Sequence, residues 1–124
     1  MIWTLFQVAL GGAVGAVGRH LTNLGVARLI GAGFPYGTVL INVLGSFVMG
    51  LLFVMLADRG ALRHAPFLMT GILGGYTTFS AFSLDTVMLV AKRQAAAMAF
   101  GAASVTLSLL AIMAGLALGR GMMA

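Results

Sequence analysis

The sequence predicts an all-α integral membrane protein in which four transmembrane helices form a single domain, residues 1–124. Hydrophobic residues make up 61% of the chain, and the mean hydropathy is +1.12. Charged residues make up 7%, whereas a soluble domain usually carries about 25%, so they are too few to cover a water-facing surface. The length accommodates four helices of about 20 residues with short loops. The absence of cysteine excludes disulfide-stapled modules and Cys-ligated metal sites.

Short loops of polar or helix-breaking residues divide the chain into four apolar segments. The first loop, Gly31-Ala32-Gly33-Phe34-Pro35, is a group of helix breakers. The second, from Asp58 to His64, is the most polar stretch, and Pro66 suits the first turn of the helix that follows. The third is Lys92-Arg93-Gln94. The predicted spans are residues 2–28, 36–57, 65–91 and 95–118.

The first two spans carry a few polar residues that need a reason to lie in hydrocarbon. Arg19 is the one basic residue within a span, and it either extends to the lipid headgroups or lines an entrance vestibule that attracts anions. In the second span Thr38, Asn42 and Ser46 are spaced by four and therefore share one helix face. Serine and threonine ordinarily bond between helices, but an amide in mid-span is costly without a partner, so Asn42 indicates a polar site.

The third span is predicted to be a broken helix. Gly74-Gly75 and then Thr77-Thr78 fall in its middle, and both pairs disfavour a continuous helix. A break within a membrane is tolerated only where it is buried in protein or lines a watery cavity, and such breaks commonly hold ions. We therefore expect an ion site here rather than a kink. Phe79 and Phe82 follow on one face, where ring edges could solvate an anion, although spacing alone favours packing.

The fourth span carries Ser104 and Ser108 at spacing four, with Phe100 one turn earlier, which makes a second narrow polar stripe. Neither aspartate lies near a Ser–His pair in the sequence, and no nucleotide-binding fingerprint is present. Two isolated histidines do not form a metal-ligand set. The sequence therefore indicates a protein that is not an enzyme.

The basic residues are balanced between the two ends of the helices. The net charge is +5, but these residues form no patch, so they are expected to anchor loops at lipid headgroups rather than to bind nucleic acid. The side with both termini and the second loop holds Arg59, Arg63 and Arg120, and the opposite side holds Arg28, Lys92 and Arg93. Orientation follows the Lys/Arg bias between loops. With equal counts both orientations should insert, which permits an antiparallel, dual-topology homodimer.

The third-span motif, Gly74-Gly75-Tyr76-Thr77-Thr78-Phe79-Ser80-Ala81-Phe82-Ser83, resembles that of the small bacterial fluoride channels, the Fluc or CrcB family. Asn42 in the second span and Gly18-Arg19 in the first extend the resemblance, which covers the whole chain. It implies an antiparallel homodimer in the bacterial cytoplasmic (inner) membrane with two fluoride pores. It also implies passive export that keeps cytoplasmic fluoride low, and a structural sodium ion at the dimer centre.

The resemblance also implies roles for individual residues. Phe79 and Phe82 match the phenylalanines whose ring edges line the pores, and Asn42 matches the pore asparagine. Gly74 and Thr77 match the positions whose main-chain carbonyls hold the sodium ion. The other matches are Ser80, Ser104 and Ser108 in a hydroxyl track and Arg19 in the vestibule.

Three residues depart from the family pattern. Ala81 stands where a hydroxyl residue is common, Phe100 stands where tyrosine is expected, and Asp85 replaces a frequent glutamate near the pore end. These changes could slow conduction, but they leave the motif in place.

Two alternatives stay open beside the fluoride channel. A small multidrug-type transporter with dual topology would need a carboxylate early in the first span, where Gln7 is the nearest acid-like residue. A non-transporting accessory membrane subunit would have no need for a broken third span.

Overall fold

The computed structural model describes residues 1–31 and 33–124, so Ala32 of the first predicted loop lies outside the described residues. Within these ranges every regular element is helical. Four helical stretches are long and apolar enough to cross a membrane, as the sequence predicts. They are Ile2–Leu29, Tyr36–Asp58, Leu62–Lys92 and Gln94–Met123.

Three of the spans are single α-helices, whereas the third is composite. Helix α1 is Ile2–Leu29 and α2 is Tyr36–Asp58. The third span begins with a 3-10 turn and continues as a π-helical segment, a short helix α3 and a longer helix α4. In order these are Leu62–His64, Pro66–Leu73, Gly74–Tyr76 and Phe79–Lys92. The last helix, α5, is Gln94–Met123.

The ends of the helices differ from prediction mainly in the third and fourth spans, the third of which begins at Leu62 rather than at residue 65. The third loop is shorter than Lys92-Arg93-Gln94, because only Arg93, with an extended backbone, separates α4 from α5. The fourth span continues past residue 118 to Met123. The turns after α1 and α2 use Gly31 and Gly60, whose φ angles of +101° and +64° favour glycine.

The break in the third span lies at the threonine pair and not at the glycine pair before it. Gly74 and Gly75 are helical, which corrects the expectation that the glycine pair breaks the helix. Thr77 and Thr78 are extended instead, with ψ angles of 157° and 124°. Thr77 is the central residue of Leu62–Lys92, which puts the break at mid-span.

Glycines bring the third span into backbone contact with α1. A methyl group at Gly75 would lie 2.7 Å from the Gly12 carbonyl oxygen, and one at Gly11 would lie 2.9 Å from the Gly71 Cα. In lipid such close approach stabilises helix pairs by van der Waals contact. The Gly74-Gly75 pair therefore belongs to packing: its second member allows this approach, while the threonines interrupt the helix.

The break transfers the third span from one neighbour to another. Before it, the π-helical segment and α3 pack against α1. After it, α4 packs against α5 and, within the described residues, makes no backbone contact with α1. Helices α2 and α5 form the most extensive helix pair, and the broken span lies beside it.

Candidate ion pathway

A cavity of about 260 Å³ lies where the break meets α2 and α5. It brings together five of the six residues that the resemblance assigns to the pore: Asn42, Phe79, Phe82, Ser104 and Ser108. The other described lining residues are Ser46, Thr77, Thr78 and Val105. None of these nine side chains carries a formal charge, so the cavity offers dipoles, hydroxyls and ring edges.

Asn42 is bound to the break through both ends of its amide. The Thr78 N–H donates to Asn42 Oδ1 at 2.8 Å, and Asn42 Nδ2 donates to the Thr78 carbonyl at 3.0 Å. The two bonds satisfy the backbone of an extended residue that no helical ladder serves. Asn42 therefore fixes the break in place, and one N–H of its Nδ2 remains for the cavity.

The break leaves two backbone carbonyls without the N–H donors that a continuous helix would supply. In a continuous α-helix the Gly74 carbonyl would accept from the Thr78 N–H, and the Thr77 carbonyl from the Ala81 N–H. Here the Thr78 N–H donates to Asn42, and the Ala81 N–H donates to Thr78 Oγ1 at 3.1 Å. Gly74 is exposed on the surface of the single chain. The two carbonyls that lose these donors are those that the resemblance assigns to sodium.

Two rings that line the cavity, Phe79 and Phe82, belong to a longer chain of aromatic contacts. Phe79 and Phe82 have ring centroids 5.5 Å apart, and Phe82 and Phe100 have centroids 5.3 Å apart. Phe100 is completely buried and meets Phe34 edge to face. Phe79 is 77% exposed, so one side of the cavity is open on the isolated chain.

The serines of the predicted hydroxyl track have different surroundings. Ser104 is buried, and its hydroxyl has no hydrogen-bond partner among the described residues. Ser108 lies one turn along the same face and also lines the cavity. Ser80 does not line it; its hydroxyl lies 3.3 Å from Thr78 Oγ1. Of the three, Ser104 is the one with an unused buried donor.

A second cavity of about 440 Å³ lies nearer the first and third loops. The Thr38 hydroxyl donates to Asp85 Oδ2 at 2.6 Å in its wall, and Asn23 and Lys92 also line it. Helical spacing puts Thr38 one turn from Asn42, but nothing in the sequence pairs Thr38 with Asp85. Their separation of 47 residues leaves no local signal for this bond.

Arg19 is half-buried on α1 and is not among the described residues that line either cavity. The vestibule role that the resemblance implies for it stays a prediction. Among the described residues no group of three or more His, Cys, Asp or Glu could hold a metal.

The chain is similar to known proteins along most of its length. Residues 6–116 match the family model described as CrcB-like protein, Camphor Resistance (CrcB). A protein of Cereibacter sphaeroides named fluoride-specific ion channel FluC is 60% identical, with all of both chains aligned. Proteins of the same name from Paracoccus denitrificans and Caulobacter vibrioides are 51% and 47% identical, over 98% and 94% of each chain. Four spans and bacterial relatives identify a multi-pass protein of the bacterial inner membrane.

Proposed function

The chain belongs to the CrcB-like protein family, and from this premise we propose that it conducts fluoride passively out of the cytoplasm. It is an ion channel rather than an enzyme, since its relatives are ion channels by name. Conduction is downhill, so export follows whenever cytoplasmic fluoride exceeds the external concentration.

The observation that carries the proposal is the buried Ser104 hydroxyl without a partner in an uncharged cavity. A buried polar group without a hydrogen bond is unfavourable, so this donor favours occupation by an ion or water. Fluoride is small and strongly hydrated, and it must exchange water for other donors. The Ser104 hydroxyl and the edges of Phe79 and Phe82 supply positive character without a full charge that would trap the anion.

A second copy of the chain is part of the proposal. Phe79, which lines the cavity, is 77% exposed. Gly74 is also exposed, and its carbonyl has lost the helical donor that Asn42 now binds. A released carbonyl facing lipid would be costly. An antiparallel partner that covers this surface would enclose the cavity, and symmetry would then create two pores per dimer.

The released carbonyls support a central sodium site, because main-chain oxygens without hydrogen-bond donors suit a hard cation. Gly74 and Thr77 would each offer one main-chain oxygen, and the second copy would offer the same pair. A bound sodium ion would supply positive charge that offsets the negative ends of the two α3 helices. The chain's own part is to hold these oxygens in place, which Asn42 does through Thr78.

Fluoride efflux from liposomes tests the function directly. Liposomes that contain the purified full-length protein and are loaded with potassium fluoride should release fluoride rapidly when valinomycin is added. Matched liposomes loaded with potassium chloride should retain their anion, as should protein-free liposomes loaded with fluoride. Equal release of both anions, or none of fluoride, would contradict a fluoride-selective channel.

Replacing sodium throughout the preparation tests the sodium site separately. With choline as the only added cation, we expect weaker dimers by gel filtration and reduced fluoride efflux. A dimer and an efflux rate that are indifferent to sodium would remove the structural ion from the proposal while leaving the channel.

A further inference from the structure

Tyr76 is the last helical residue before the break, and its ring lies between two other helices. A methyl group at Gly18 on α1 would lie 3.6 Å from Tyr76 Cδ1, and one at Gly45 on α2 would lie 3.5 Å from Tyr76 Cδ2. These are ordinary van der Waals distances, so the ring lies against both helices, whereas a methyl group at Gly45 would overlap the Thr77 side chain. Tyr76 thus spans the gap between α1 and α2 at mid-span.

The tyrosine hydroxyl is tied to α1 by a directional chain of hydrogen bonds. Thr22 Oγ1 donates to the Gly18 carbonyl at 2.9 Å and lies 3.0 Å from Tyr76 Oη. A threonine hydroxyl has one proton, and the Gly18 carbonyl takes it. Both contacts are hydrogen bonds at once when Tyr76 donates to Thr22, and the chain then runs from Tyr76 through Thr22 to the backbone of α1.

This is the last hydrogen bond along the third span that joins it to α1 among the described residues. Beyond Thr77 the chain packs against α5, and the described residues of α4 make no backbone contact with α1. On the other side of Thr77, Asn42 binds the Thr78 backbone at both its donor and its acceptor. The Thr77 carbonyl therefore lies between two hydrogen-bonded anchors, one on α1 and one on α2.

We propose that Tyr76 and Thr22 are positioning residues that orient the released Thr77 carbonyl for the central cation. The inference rests on the proposed sodium site and adds residues that do not themselves touch the ion. If the Tyr76 hydroxyl is lost, the ring still fills its place, but the Thr77 peptide keeps only the Asn42 anchor, and its carbonyl can turn away from the cation. Cation affinity then falls while the packed fold remains.

The test compares Tyr76→Phe, Thr22→Val and their double variant with the wild-type dimer. Tyr36→Phe is the matched control, since it removes the same atom from a tyrosine that makes no side-chain hydrogen bond to a described residue. Thr22→Ser is the rescue variant because it keeps the accepting hydroxyl. Thermal unfolding of each full-length protein is followed as sodium is titrated against choline at constant ionic strength, and fluoride efflux is measured beside it.

We expect Tyr76→Phe and Thr22→Val to raise the sodium concentration for half-maximal stabilisation about fivefold or more. The double variant should be no worse than either single one, because one chain of bonds is lost in each case. Thr22→Ser and Tyr36→Phe should keep the wild-type midpoint. Efflux of the two single variants should fall at low sodium and recover at high sodium.

Three results would overturn the inference. If both single variants lower the unfolding temperature equally with and without sodium, and keep the wild-type midpoint, the contact is merely structural. If Tyr76→Phe does not yield a folded dimer, the inference is tested on Thr22→Val alone. An unchanged sodium concentration for half-maximal stabilisation in that variant would overturn the inference. A wild-type protein that conducts fluoride but shows no stabilisation by sodium removes the cation site and this inference together, whereas a wild-type protein without fluoride efflux contradicts the proposed function.

Discussion

The buried Ser104 hydroxyl is expected to lower the stability of the isolated chain. It is 4% exposed and has no hydrogen-bond partner among the described residues. An unsatisfied buried polar group destabilises a fold by about 1–3 kcal/mol. Its presence is reasonable if the hydroxyl serves a passing ion or a water that accompanies it.

Replacing this serine separates stability from conduction. Ser104→Ala should leave the unfolding temperature unchanged or raise it, because an unpaired hydroxyl is removed, while fluoride efflux should fall by about tenfold, equivalent to the loss of about 1.4 kcal/mol of interaction. Efflux assays and thermal unfolding in detergent measure the two effects. Ser83→Ala is the control, since the exposed Ser83 hydroxyl bonds only to the Phe79 carbonyl of its own helix. Wild-type efflux in Ser104→Ala would show that the hydroxyl has no part in conduction.

The phenylalanines give the clearest contrast between packing and ion contact. Phe79→Ile and Phe82→Ile keep much of the apolar volume, so stability should change by about 1–2 kcal/mol. Efflux should nevertheless fall severely, because the aliphatic side chain lacks the positive ring edge. Each variant is checked as a dimer by gel filtration before efflux is measured. If both variants conduct like the wild type, the two rings are structural.

Asn42 is a less direct probe, and the structure explains why. Its amide makes two hydrogen bonds to Thr78, so its removal would leave an extended backbone unsatisfied in the membrane. A loss of conduction in Asn42→Ala would therefore combine a lost donor with a disturbed break. The sequence predicts a polar site at Asn42, but Thr78 lies 36 positions further along the chain, so no local pattern indicates the contact between them.

At the scale of elements, the contact between α1 and the third span depends on glycine backbones. A methyl group at Gly15 would overlap the Ile72 carbonyl oxygen and lie 2.8 Å from the Tyr76 nitrogen. Backbone atoms cannot rotate away as a flexible side chain can, so the helices would have to separate.

Gly15→Ala should therefore destabilise the fold by about 1–3 kcal/mol or more and reduce efflux. Gly25→Ala on the same helix is the matched control, because a methyl group there meets nothing within 4 Å. It should instead gain up to about 1 kcal/mol of helix propensity. Unfolding by titration with a denaturing detergent measures both. An unchanged midpoint for Gly15→Ala would contradict the close approach at this contact.

At the scale of the whole molecule, the balance of basic residues predicts the orientation in the membrane. Arg28, Lys92 and Arg93 on one side equal Arg59, Arg63 and Arg120 on the other. A tag on the C-terminus should therefore be found on both sides of the membrane. A uniform single orientation would contradict dual topology.

A few added basic residues should change the ratio of the two orientations. Adding about three lysines to the C-terminus should hold that end in the cytoplasm and lower the activity of the singly expressed chain, since an antiparallel partner is lost. Three added glutamines form the control and should leave both orientations populated. Recovery of activity on co-expression with an oppositely biased variant would identify the lost partner as the cause. Full activity in a chain of uniform orientation would exclude the antiparallel dimer.

Local composition and spacing are sufficient to predict several features of this protein. Four apolar runs predict four spans, because the bilayer core requires about 20 apolar residues per helix. Helical spacing placed Asn42 and Ser46 on one face and Ser104 and Ser108 on another, and the structure finds all four around one cavity. The glycine and threonine pairs in the third span predicted a break.

Contacts between helices, in contrast, establish which residues make that break and which backbone groups it exposes. The roles of Gly75 and Thr78 depend on their neighbours: the Gly12 carbonyl leaves no room for a methyl group at one, and the Asn42 amide replaces the helical ladder at the other. The Tyr76–Thr22 bond joins residues 54 positions apart. Helical spacing reports which residues share a face, whereas the hydrogen bonds of a broken backbone depend on the helix that packs beside it.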